Sequence, residues 1–204
     1  MAEKIEELLQ AISEEIGELH LKWLLFSQLF KDKETVDLLN ESAPTFFGVC
    51  QSMFLNDIIL SISRLTDPSK TGNKENLTLA RILDSIDPSL FQLKTELIET
   101  LEIVKNSCDF ARKHRNRRVA HTDLKTYFQD HPEPLLSITK EKIEEALLGL
   151  RTFINKVELH FTQNETGYEY LAVVEGASSL IGCLYDAKSY RDQQQPPNNC
   201  GAAD

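Results

Sequence analysis

The chain has 204 residues, a length that fits one domain with room for a substantial core. Hydrophobic residues make up 41% and charged residues 26%, both ordinary for a globular protein. The formal net charge of −10 argues against a protein that coats nucleic acid with its whole surface, so any polyanion site must be a local basic patch on an acidic body.

Only 8 Gly and 7 Pro punctuate the sequence, which favours long helices over a many-turned β fold. The first helix is expected over residues 2–30, where Ile5, Leu8, Leu9, Ile12, Ile16, Leu19, Trp23 and Phe30 recur at helical spacing with glutamates between them. A short helix follows over 34–40. Pro44 suits a first helical turn, and residues 46–65 are apolar on most sides, as in a central, buried helix. Within it Asn56, Asp57 and Arg64 read as satisfied buried polar groups. Thr66-Asp67-Pro68 stops that helix, residues 70–76 read as an exposed loop, and a short helix lies near 78–86. Beyond the turn Asp87-Pro88-Ser89, a regular stripe runs through Leu90, Leu93, Leu97, Leu101, Val104, Cys108 and Ala111 and predicts a helix facing another helix. Residues 123–138, with His131-Pro132-Glu133-Pro134, read as irregular. Thr139 is an N-cap for a helix carrying Ile143, Leu147, Leu150, Ile154, Val157 and Phe161. Gly167 closes that helix region, a last helix covers 168–190, and the Gln-, Pro- and Asn-rich end reads as disordered. The expectation is therefore an all-α, multi-helix bundle of antiparallel helices in one domain over 1–190, with a disordered tail over 191–204.

No basic start followed by an apolar stretch and a cleavage site is present, and no apolar run approaches the roughly 20 residues that span a bilayer. A cytoplasmic protein with no membrane partner is expected. Cys50, Cys108, Cys183 and Cys200 lie far apart, with no C-x-x-C pair. The first three read as small core hydrophobes in a reducing compartment. The histidines at 20, 114, 121, 131 and 160 show no metal-ligand spacing, so neither metal nor cofactor is expected. There is no internal repeat, no G-x-G-x-x-G, no Walker-type loop and no helix-turn-helix spacing.

One segment breaks the pattern. Five of the 22 Lys and Arg fall within the seven residues from Arg112 to Arg118. Continuing the stripe through 108 and 111 leads to 115 and 118, so Arg115 and Arg118 stand where apolar residues should. A core does not accept unpaired charge. Either the helix ends here, or the stripe opens onto a cleft or a second subunit that supplies anions. His121 is six residues from Arg115, about 120° away around an unbroken helix, so one site needs a break or a pairing across a dimer. Plainer readings exist. Cations at a helix end oppose its dipole by about 0.3–1 kcal/mol each, which accounts for one or two of the five. Others can pair with acidic residues on a solvated surface, and His121 can be a cap or an interface histidine.

The stretch Arg115-Asn116-Arg117-Arg118-Val119-Ala120-His121 resembles the signature of the HEPN superfamily (higher eukaryotes and prokaryotes nucleotide-binding), an Arg, a polar residue and a later His. The continuation Ala-His-Thr-Asp, and Ser63-Arg64-Leu65-Thr66-Asp67 at the end of the apolar helix, look like its abortive-infection U type branch. The resemblance covers residues 10–165. It implies a bundle that dimerises and brings two motifs into one basic cleft, and many members are metal-independent endoribonucleases of phage defence or toxin–antitoxin systems. It carries Arg115, Asn116 and His121 as catalytic positions; charge and spacing add Arg112, Arg117 and Arg118 for RNA or phosphate. RNA brings its own nucleophile, the 2′-hydroxyl. A His can act as base or acid near neutral pH, and a planar guanidinium suits the phosphorane oxygens. The expected partners are RNA, a second copy and an antitoxin protein. The alternatives are a non-catalytic HEPN module that binds RNA, a nucleotide or a protein, and a bundle used only for assembly.

Overall fold

The structure is a computed structural model that describes residues 2–119 and 137–194. Eight α-helices lie among the described residues: α1 Ala2–Leu29, α2 Lys33–Ser42, α3 Pro44–Leu65, α4 Leu79–Ser85, α5 Phe91–Ser107, α6 Asp109–His114, α7 Lys140–Thr162 and α8 Ala177–Gln194. Two-residue strands β1 (Lys70–Thr71) and β2 (Lys74–Glu75) form one small antiparallel hairpin between α3 and α4. The chain is all-α.

The helix starts are set by local chemistry. Asp32 Oδ1 accepts from the Thr35 N–H at 2.9 Å, Thr78 Oγ1 from Arg81 at 3.2 Å and Thr139 Oγ1 from Lys142 at 3.4 Å, each satisfying one orphan donor of a first turn. The 70–76 stretch, expected as a plain loop, is the hairpin. Gly72, first of its two loop residues, has a φ of 59°, a left-handed backbone that a side chain resists.

The described residues fall into two compact units. The first comprises residues 2–23, 53–119 and 137–171. Its core is built from one face each of α1 (Ile12, Ile16), α3 (Ile58, Ile62), α5 (Leu97, Val104) and α7 (Leu150, Phe153), all essentially removed from solvent. Helices α5 and α7 pack extensively against each other. Gly149 is why they approach so closely: a Cβ there would meet Val104 Cγ2 at 3.2 Å. Residues at 97, 101, 104, 108 and 111 of the stripe are buried, yet the helix is not continuous. Cys108 takes φ −93° and ψ 0° and separates α5 from α6. Its thiol is buried, and that burial pushes its pKa up to about 12.

The second unit comprises residues 24–52 and 172–194, where α2 packs against α8. Leu38 and Leu39 are buried there. The hydroxyl of Tyr185 donates to Glu34 at 2.9 Å and Lys188 pairs with Glu41 at 2.6 Å.

Several expectations are corrected. The chain after α7 is not helical through 168. Gln163 takes a left-handed φ of 60° and ends α7, whereas Gly167 lies in a loop before a single 3₁₀ turn, Tyr168–Tyr170. The cause is a buried carboxylate. Glu158 Oε1 accepts from Tyr168 Oη and Ser13 Oγ, each at 2.7 Å, and Oε2 accepts from the Thr166 N–H at 3.1 Å. These bonds hold 166–168 against α7 and α1, so the last helix begins only at Ala177 and runs to Gln194. Helix α3 is not buried throughout: Phe46, Val49 and Met53 are exposed, and before Ile58 only Phe47 is buried. By length and composition α3 is long and apolar enough to cross a membrane, contrary to the reading that no such run exists. Of its polar residues Ser61 and Ser63 are buried, but the three expected to be buried are not. Asn56 and Arg64 are exposed, Arg64 pairs with Glu15 at 3.0 Å, and Asp57 pairs with Lys22 at 2.6 Å. Of the three cysteines read as core hydrophobes only Cys108 is buried; Cys50 is half-buried and Cys183 exposed. The stretch 123–136 and the residues after Gln194 lie outside the described residues.

Candidate functional site around Arg115

The site begins with the way α3 ends. The Thr66 and Asp67 N–H groups turn back to the Ser63 and Arg64 carbonyls at 3.2 and 3.1 Å, tightening the last turn. Thr66 is buried, and its hydroxyl lies 3.2 and 3.1 Å from the Ile62 and Ser63 carbonyls. Pro68 then prevents the helix from resuming.

Two arginines of the basic segment reach this turn. Arg112 donates from Nη1 to the Thr66 carbonyl at 3.3 Å and from Nη2 to the Lys105 carbonyl at 3.0 Å. Its guanidinium thus joins the terminal carbonyls of α3 to the last turns of α5, a favourable place for a cation. Arg115, one helical turn on, donates from Nη1 to Asp67 Oδ2 at 2.6 Å, and from Nε to Asn116 Oδ1 at 3.1 Å. The Arg115 and Asp67 side chains are only 19% and 25% exposed, so this pair is shielded far better than the surface pairs elsewhere.

The two outcomes set by the stripe are both seen in part. The α-helix does end: Arg115–Val119 form a π-helical turn, in which hydrogen bonds close on the fifth residue rather than the fourth. The register of the stripe is lost at Arg115, and Arg118 comes to solvent. The anion that meets Arg115 comes from the same chain. Asn116 is exposed and Arg117 half-buried. His114 is buried, and Lys113 pairs with Asp109 at 2.9 Å. His121 lies outside the described residues. Arg112, Arg115 and Asn116 are thus gathered around one turn, while Arg118 faces outward.

Sequence reading missed Asp67 as a site residue. The signal for it was the segment Ser63-Arg64-Leu65-Thr66-Asp67, which was read for its resemblance and as a helix stop. Asp67 also lines a cleft of about 300 Å³ with Glu15, Arg64, Glu75, Asn76, Leu77 and Thr78. Among the described residues no group of three His, Cys, Asp or Glu could hold a metal ion.

Comparison with known proteins gives one family. The model of HEPN_AbiU2, described as AbiU2, matches residues 2–177, most of the chain. No curated protein and no solved structure matches.

Proposed function

This chain belongs to the AbiU2 family of HEPN domains, and from that premise we propose that it is a metal-independent endoribonuclease acting at a composite cleft of two copies. The observation that carries the reading is Arg115, a partly buried guanidinium held on Asp67 where the α-helix gives way to a π turn. A cation kept in a fixed place beside an exposed basic stretch is suited to charge that develops on a phosphate.

In the proposed reaction the 2′-hydroxyl loses its proton to a base as its oxygen bonds to phosphorus. The bond from phosphorus to the 5′-oxygen then breaks, and that oxygen takes a proton from an acid, leaving a cyclic phosphate. His121 supplies the proton-transfer chemistry. Each chain has one His in the motif, so two copies divide the base and acid roles. Arg115 stabilises the phosphorane, Asn116 orients it, and Arg117 and Arg118 hold the flanking backbone. Arg112 supports the site by fixing the turn under Arg115. A growth-arresting role in phage defence or beside an antitoxin fits such an activity.

The test is mixed RNA incubated in excess EDTA with the parent protein and with His121→Ala, at matched helicity and mass. Cleavage by the parent alone is the expected result. Equal cleavage by a well-folded His121→Ala removes His121 from the mechanism. RNA bound in low salt but cut by neither protein replaces this reading with that of a non-catalytic binding module.

A further inference from the structure

Arg115 is fixed at two points of its guanidinium. Nη1 meets Asp67 at 2.6 Å and Nε meets Asn116 at 3.1 Å, and two contacts on a planar group set the orientation of the plane. Asn116 is exposed and adjacent in sequence, so it moves with Arg115. Asp67 does not. Its N–H is bonded back to Arg64, the buried Thr66 beside it is anchored on two carbonyls, and Arg112 grips the Thr66 carbonyl. Pro68 restricts the backbone on the other side.

We infer that Asp67 is the positioning residue of this site, holding the Arg115 guanidinium in the orientation in which it meets the phosphate of RNA. The inference rests on the ribonuclease reading and adds to it a residue from a different part of the chain. A carboxylate here repels a phosphate backbone, so Asp67 works against ground-state affinity. Its contribution is to order a long, mobile side chain before the substrate arrives, which benefits the chemical step. This separates positioning from a merely structural role. Loss of structure lowers binding and turnover together, whereas loss of positioning lowers turnover and leaves binding unchanged or tighter.

The experiment compares the parent, Asp67→Ala and Asp67→Asn on a single-stranded RNA substrate, with kcat and KM determined separately. Asp67→Ala is expected to lower kcat by about 10- to 100-fold, the scale of a misplaced catalytic group, with KM unchanged or reduced. Asp67→Asn keeps an acceptor oxygen and the shape of the turn, and recovers most of the loss. An unchanged kcat in Asp67→Ala, or a loss that Asp67→Asn does not relieve, overturns the inference. A second readout needs no substrate: the ¹⁵N-edited NMR signal of the Arg115 Nε–H, assigned by its absence in Arg115→Lys. In the parent it is a separate, slowly exchanging line, and in Asp67→Ala it merges with the exposed arginines. A parent that cuts no RNA overturns the ribonuclease reading alone. An Arg115 line unmoved by Asp67→Ala then overturns the positioning.

Discussion

His20 is a buried imidazole stacked on Tyr168, with ring centroids 5.8 Å apart and an Nε2 that has no hydrogen-bond partner among the described residues. Burial first, and Arg151 second, lower its pKa from 6.5 to about 4, with Glu169 opposing. The neutral form is therefore the one the fold accepts. Below pH 6.5 the unfolded chain binds a proton that the folded chain refuses, so this contribution is present above 6.5 and is lost as pH falls toward 4. The shift is worth at most about 3 kcal/mol at about 1.4 kcal/mol per unit. His20→Phe keeps an aromatic ring against Tyr168 and removes the titrating group. Urea melts at pH 7 and pH 5 should show a smaller loss of stability for the variant than for the parent; equal losses would show that His20 is not the group responsible. The same scale separates what the sequence disclosed of the site from what it hid. The concentration of charge at 112–118 and the clash of Arg115 with the apolar stripe are readable because each depends only on neighbours along one helix. The pairing of Arg115 with Asp67 spans 48 residues, and nothing in local spacing reports it.

Between elements, the closest approach to test is that of α5 and α7 at Gly149. A Cβ there meets Val104 Cγ2 at 3.2 Å and the Val104 Cα at 3.6 Å, and backbone cannot move aside as a flexible side chain can. Gly149→Leu should force the helices apart at a cost of about 1–3 kcal/mol, as overpacking does elsewhere. For a domain of this size that is about 2–4 °C of melting temperature per kcal/mol, measurable by circular dichroism. An unchanged melting temperature would mean that the α5–α7 contact yields to a side chain at 149 without cost. Helix existence was legible for α1, α2, α3, α4 and α7 because period, caps and punctuation agree there. Thr139, the cap expected from sequence, accepts from Lys142 three positions on, and Thr78, which the sequence reading did not single out, does the same for Arg81. The stretch from 163 to 176 was misread because its conformation is set by Glu158, whose partners are Ser13, Thr166 and Tyr168. A propensity for helix yields to a buried carboxylate that needs donors. The interruption of the helix at Cys108 was invisible for the opposite reason: the apolar spacing runs unbroken through it, from Val104 to Ala111.

Over the whole molecule the quantity to test is charge, because the net charge is −10 while five of the 22 Lys and Arg stand in the segment between Arg112 and Arg118. On the proposed function, the protein holds RNA by contacts made at that segment. Its affinity should therefore fall steeply with salt, and the slope should count the phosphates held there, at about 0.7 per contact for a single strand. Arg118, exposed at the π turn, is placed to make one such contact, whereas Arg112 is occupied by the Thr66 and Lys105 carbonyls. In fluorescence anisotropy with a single-stranded RNA at several salt concentrations, Arg118→Ala should weaken binding and flatten the plot of log K against log salt by about 0.7. Arg112→Lys keeps a cation but loses the fork that bridges two carbonyls. It should lower thermal stability while leaving the salt slope close to that of the parent. A slope unchanged by Arg118→Ala would place the RNA contact elsewhere on the chain. A slope flattened as much by Arg112→Lys would mean that Arg112 leaves the turn to meet phosphate, and that the clamp at Thr66 opens on binding.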